Sequence, residues 1–192
     1  MDYLLPGFAA IIVIAVLATL GKEGTWSNLI LLLEIVFASI VAVNFFEPLG
    51  AWLGGQVKAL TYFADFMCLW VLFAATFAGL RAITDYISRT QVRFHKMVDD
   101  AGSMVLAVAI AWLMLCFIMF TLHTAPLPRE AWGFKPEAKM LFGLKPDRVW
   151  LGFMQQLSRG AYARNNEFDP KAEFIIKHAS RRVEYATKAD EG

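Results

Sequence analysis

An all-α membrane protein, with four transmembrane helices and a helical C-terminal extension, is the fold class this sequence predicts. Two observations carry the prediction. The 192 residues are 58% hydrophobic and 14% aromatic with only 18% charged, and the mean hydropathy is +0.50, far more apolar than a water-soluble domain. The apolar residues also gather into four runs, Leu4 to Leu20, Trp26 to Phe46, Leu60 to Leu80 and Met104 to Leu122. Each run approaches the roughly 20 residues that a helix rising 1.5 Å per residue needs to cross the hydrocarbon layer. Residues 1–122 are therefore expected to form a four-helix transmembrane domain, and 123–192 a non-spanning helical tail.

Taken in order, the first run opens with "MDYLLPGF", which lacks the basic start of a cleaved signal, so this span is expected to be retained. The turn "GKEGT" is short enough to make the first two spans antiparallel neighbours. In "EPLGAWLGGQVKA", Pro48 is expected to end the second helix, and the glycines permit close backbone approach or a re-entrant bend. Past the third run, Arg81, Asp85, Arg89, Arg93, Lys96 and Asp100 recur every three or four positions, which predicts one helical stripe extending span three beyond the membrane. Its basic members Arg89, Arg93 and Lys96 suit anionic headgroups; the plainer reading is a solvated face laced with ion pairs.

After His123, Pro126 and Pro128 break the helix. "FKPEAKM" and "LKPDRVW" each place Pro at a first helical position with an acid following it, and each reads as a helix start. Trp150, Leu151, Phe153, Met154 and Leu157 then form an apolar face that suits either the membrane surface, with Trp150 and Phe153 as its contacts, or the span bundle. A last helix is expected from Asp169 as N-cap and Pro170 at the first position. Lys22, Arg81, Arg89, Arg93 and Lys96 belong to the two odd-numbered loops. Once the tail is set aside, only Lys58 faces them, which places both termini on the outer side.

The formal net charge is +1, and the basic residues are divided among loops and tail, which argues against nucleic-acid binding. No Gly-rich phosphate loop, HExxH, paired-cysteine spacing or GxSxG elbow is present, and Ser39, Ser103 and the histidines lack the spacing of a nucleophile and base. His95, His123 and His178 are too scattered to predict a metal, and no cofactor is expected. Cys68 and Cys116 both fall inside spans, where they read as packing residues.

Charged residues within spans are costly and face a bundle interior or a wet cavity. Glu34 and Asp65 qualify. By helix rise Glu34 lies roughly 10 Å deep, level with Thr76 and one turn below Arg81, so Arg81 could reach inward to it. Asp65 is expected to be level with Asn44, in range of Lys58 or His123. Satisfied structural groups are one reading of these acids, and a proton or ion relay is the other. Small residues at four-residue spacing, Gly50 with Gly54, Ala75 with Gly79, and Gly102, Ser103 and Ala107, are candidate helix-packing positions. Trp26, Phe45, Phe46, Trp52 and Tyr62 read as an interfacial belt.

The short first hairpin, the "PLGAWLGG" connection, the basic extension of span three and "MVDDAGSMVLAVAIAW" leading into span four together resemble the CvpA family, named for colicin V production. The resemblance covers roughly Met1 to Leu122. That family consists of four-span bacterial inner-membrane proteins whose loop into span four carries an aspartate closely followed by glycine, matched here by Asp99 and Gly102. The sequence departs from the pattern in two places: its hairpin holds one basic residue where several are usual, and Asn28 stands where an acid is usual. Glu34 belongs to no motif of the family. The resemblance implies a link to toxin production or export and envelope homeostasis, and it supplies no catalytic residues. The function expected is a non-enzymatic accessory or scaffold in contact with the lipid bilayer and with a protein partner or a second copy. The alternative is a small channel or ion-coupled transporter subunit using Glu34 and Asp65.

Overall fold

The computed structural model describes residues 4–57, 61–88, 92, 94–127, 141–159, 168–169 and 171–190. Among them every regular element is helical: α1 (Leu4–Leu20), α2 (Thr25–Gln56), α3 (Ala64–Ile87), α4 (Lys96–Thr124), α5 (Pro146–Arg159) and α6 (Phe174–Asp190), with one 3-10 turn at Leu141–Gly143. The chain is an all-α, multi-pass membrane protein. Helices α2, α3 and α4 are long and apolar enough to cross a bilayer, whereas α1, the fourth expected span, is apolar but shorter at 17 residues. Helix α1 buries only Leu5 and Ala9, against Leu115 and Met119 of α4. Val13, Val16 and Leu20 pack partly against the core, and Phe8, Ile11 and Ile14 are exposed.

Pro48 does not end α2, which runs 32 residues to Gln56. Proline deprives the Asn44 carbonyl of its helical donor, and within a membrane bundle neighbouring helices make such an interruption tolerable. The extra turns move the α2–α3 crossing and reset the register of the pair. Gly50 abuts Asp65, Gly54 abuts Thr61, and Glu34 meets Arg81. This is five to six residues, or about one and a half turns, from the expected Glu34–Thr76 and Asn44–Asp65 levels.

The charged stripe is likewise not one helix. Helix α3 stops at Ile87 and α4 starts at Lys96, with His95 extended at φ −61°, ψ 136° as its N-cap. Ion pairs at helical spacing contribute only tenths of a kcal/mol each, too little to hold a straight helix against the contacts that Asp99 and Ser103 gain by turning back. Lys96 is exposed at the start of α4. Arg89 and Arg93 lie outside the described residues, as do Lys58, Pro170 and the whole of "FKPEAKM".

Helix α4 is the hub, packing on α1, α2 and α5 and more lightly on α3 and α6. The core is aromatic where the tail joins it. Phe117 meets Trp150 edge-on at 5.4 Å, Trp70 at 5.8 Å and Phe73 at 4.8 Å, and Phe120 stacks on Phe174 at 5.1 Å. Trp150 is therefore not a membrane-surface residue: it is 1% exposed, and Phe153 packs beside it at 5.6 Å. Burying this face of α5 against α4 removes more apolar area from water than resting it on headgroups would. Phe46 also leaves the expected belt, being fully buried against Phe174. Of the packing candidates, Gly50, Gly54, Gly102, Ser103 and Ala107 lie at contacts within the chain. Ala75 and Gly79 do not, because their face of α3 is exposed and a Cβ on Gly79 would meet nothing within 4 Å.

Candidate functional site

Three polar clusters organise the bundle. The first holds Glu34, 3% exposed on α2. Thr84 donates its hydroxyl to Glu34 Oε1, and Arg81 Nη1 stands 3.6 Å from Oε2 while its Nε lies 3.5 Å from Asp85. The inward reach of Arg81 is as expected, and the hydroxyl beside Glu34 is that of Thr84, one turn beyond Arg81. A cleft lined by Trp26, Ser27, Arg81, Thr84, Asp85 and Ser88 opens beside the pair, and the Trp26 indole donates to Ser88 Oγ at 3.2 Å. The buried carboxylate is thus shared between a guanidinium and a hydroxyl, which ties α2 to α3.

The second cluster lies at the opposite end, where α5 and α6 meet the spans. Asp65, in the first turn of α3, is paired by Arg181 of α6 and faces His178 Nε2 at 3.8 Å, instead of the expected His123; Lys58 is outside the described residues. His178 Nδ1 donates to the Phe174 carbonyl at 3.0 Å, which leaves Nε2 as the acceptor in the neutral ring. Burial lowers the His178 pKa to about 4, against the opposing pull of the Phe174 carbonyl and Asp65. Arg182 Nη2 donates to the carbonyls of Leu122 and His123, at 2.8 and 2.7 Å, closing the C-terminus of α4 with a cation at its negative end. Burial lowers the Arg182 pKa to about 10, so it remains charged at neutral pH. His123 Nε2 pairs with Asp147 Oδ2 at 3.0 Å, both side chains buried. Lys177 meets Glu47 of α2 at 3.0 Å.

The third cluster ties the α1–α2 hairpin to the start of α4. The Thr25 amide donates to Asp99 Oδ1 at 2.8 Å, and the Thr25 hydroxyl to the Asp99 carbonyl at 2.8 Å. Gly24, the N-cap of α2, has no side chain to do this, so a carboxylate from another helix fills the role. A Cβ on Gly102 would come within 2.7 Å of Thr25 Oγ1, and only glycine allows that approach. Asn28 Nδ2 donates to the Leu20 carbonyl at 2.9 Å and to Ser103 Oγ at 3.1 Å, while Ser103 donates to the Glu23 carbonyl. The last carbonyl of α1, that of Leu20, and the Glu23 carbonyl of the turn are thereby satisfied.

The protein-family model described as colicin V production protein matches residues 7–137. The chain belongs to the colicin V production protein family. No curated protein and no solved structure matches it significantly. In this member of the family, Asp99 and Gly102 are the parts of a clamp that fixes the first hairpin, and Asn28 holds the C-terminus of α1. The sequence offered no sign that Asp147, Arg181 and Arg182 would matter, since each sits in a polar tail whose docking depends on contacts far along the chain. Only the apolar spacing from Trp150 to Leu157 pointed to that interface.

Proposed function

We propose that this colicin V production family member is a non-enzymatic accessory or scaffold protein of the bacterial inner membrane, serving toxin production or export and envelope maintenance through a protein partner or self-association. Both termini, with the tail, are assigned to the outer side. The observation that carries the reading is that the two intramembrane acids are tied into contacts between helices, Glu34 to Thr84 and Arg81 and Asp65 to Arg181. Charges used in this way hold a bundle together and favour a rigid platform over a moving carrier. In-cell crosslinking followed by purification in mild detergent tests it. A discrete oligomer or a reproducible partner is expected, and a lone monomer with nothing captured would refute the proposal.

The alternative, a small channel or ion-coupled subunit, draws on one observation. Among the described residues Glu34 Oε2 is buried without a hydrogen-bond partner and faces the longer Arg81 contact beside the open cleft. In proteoliposomes, proton or solute flux abolished by Glu34→Gln would favour it, and absence of flux in the parent protein would dispose of it.

A further inference from the structure

Four polar side chains interrupt the apolar run of α2 from Asn28 to Asn44, and Asn28, Glu34 and Ser39 among them are buried. Asn28 and Glu34 are held by neighbouring helices, and Ser39 donates to the Ile35 carbonyl of its own helix. Asn44 is exposed. At the helical advance of roughly 100° per residue it shares one face of α2 with Leu33, Phe37, Pro48, Ala51 and Trp52, all of them exposed as well. One Asn44 amide hydrogen goes to the Ile40 carbonyl at 2.8 Å; the second hydrogen and Oδ1 have no partner among the described residues. Pro48 also leaves the Asn44 carbonyl without its helical donor. Depth makes these groups costly. Asn44 lies roughly 9 Å by helix rise inward of Gly50, which abuts Asp65 in the first turn of α3, and lipid at that level offers no hydrogen bond.

We propose that this face of α2 docks on the same face of a second copy of the chain, with the two Asn44 amides paired across a two-fold axis along the membrane normal. The inference rests on the self-association arm of the proposed function and names its surface. A primary amide carries donor and acceptor together, so two copies related by a two-fold satisfy each other: each Nδ2 donates its remaining hydrogen to Oδ1 of the other copy. Both copies insert with the same orientation, which keeps the axis along the normal. Apolar neighbours such as Phe37 and Trp52 gain little by exchanging lipid for protein, because lipid tails are as apolar as they are. The amide therefore decides which face associates.

Energy transfer between labelled full-length copies in vesicles of phosphatidylethanolamine and phosphatidylglycerol, followed as lipid is added, tests the pairing. Asn44→Leu is expected to raise the protein density at half-maximal transfer about tenfold, the scale of a reciprocal pair of interhelical hydrogen bonds. Asn44→Gln keeps the amide and should retain most of the association. The Asn44 side chain is exposed and bonds only to its own helix, so both variants should unfold thermally with the parent. Oxidative crosslinking locates the face independently: Phe37→Cys should join two copies and Gly79→Cys on α3 should not, the native Cys68 and Cys116 being buried. Transfer unchanged in Asn44→Leu, or crosslinking through Gly79→Cys and not Phe37→Cys, refutes this interface while self-association stands. Capture of a different protein with no transfer between copies refutes the pairing and leaves the scaffold reading; neither capture nor transfer overturns both.

Discussion

Gly50 and Gly79 are both glycines in apolar helices, and their surroundings give opposite consequences for the same substitution. A Cβ at Gly50 would collide with the Asp65 side chain, whereas at Gly79 it would enter open space. Gly50→Ala is expected to cost about 1–3 kcal/mol by overpacking and by disturbing the carboxylate that holds Arg181. Gly79→Ala should be neutral or stabilise by up to about 1 kcal/mol through helix propensity. Thermal unfolding of the two variants in one detergent reads the difference. His178 gives a prediction in pH. Its ring is held neutral by burial, with a pKa of about 4 where the undocked ring has 6.5, so the undocked tail takes up a proton that the docked tail resists. Docking is at full strength above pH 6.5 and weakens by up to about 3 kcal/mol as pH falls towards 4. Hydrogen exchange across residues 174–184 should rise over that window, and His178→Gln should flatten the response. None of these differences shows in the residue types alone, because each depends on which atoms lie opposite.

At the scale of elements, the hairpin of α1 and α2 is held by groups that neither helix carries. Asp99→Ala removes the carboxylate that caps α2 and should cost about 0.5–2 kcal/mol. The loss should appear as faster amide exchange at residues 21–28, with the far end of the bundle unchanged; uniform loss of protection would contradict a local cap. Hydrophobic runs located these helices well, since a span must satisfy its backbone internally whatever its neighbours. They located the ends poorly. Pro48 reads as a stop and is passed through, while the charged stripe from Arg81 reads as continuous and is broken after Ile87. Both errors come from local signals of a few tenths to a few kcal/mol that lose to contacts between helices.

Across the whole molecule, the tail completes the core that the spans begin. Phe46, Phe117 and Phe120 are fully buried, with Trp150 and Phe174 against them. Ending the chain after Leu127 would bare these rings, along with the Asp65 carboxylate. The shortened protein is expected to aggregate or lose its sharp elution on size exclusion in detergent, and a monodisperse product would show the spans to be self-sufficient. The amino-acid sequence by itself determined the helical class, the membrane environment and the approximate position of each apolar helix. Those follow from the price of exposing apolar side chains to water and backbone groups to lipid, which composition and periodicity record directly. Only the tertiary structure decided that Arg81 and Thr84 share Glu34, that Arg181 meets Asp65, and that Trp150 lies inside. Such pairings join residues up to 116 positions apart, and their register is fixed by close contacts such as Gly50 on Asp65, which no local pattern in the chain encodes.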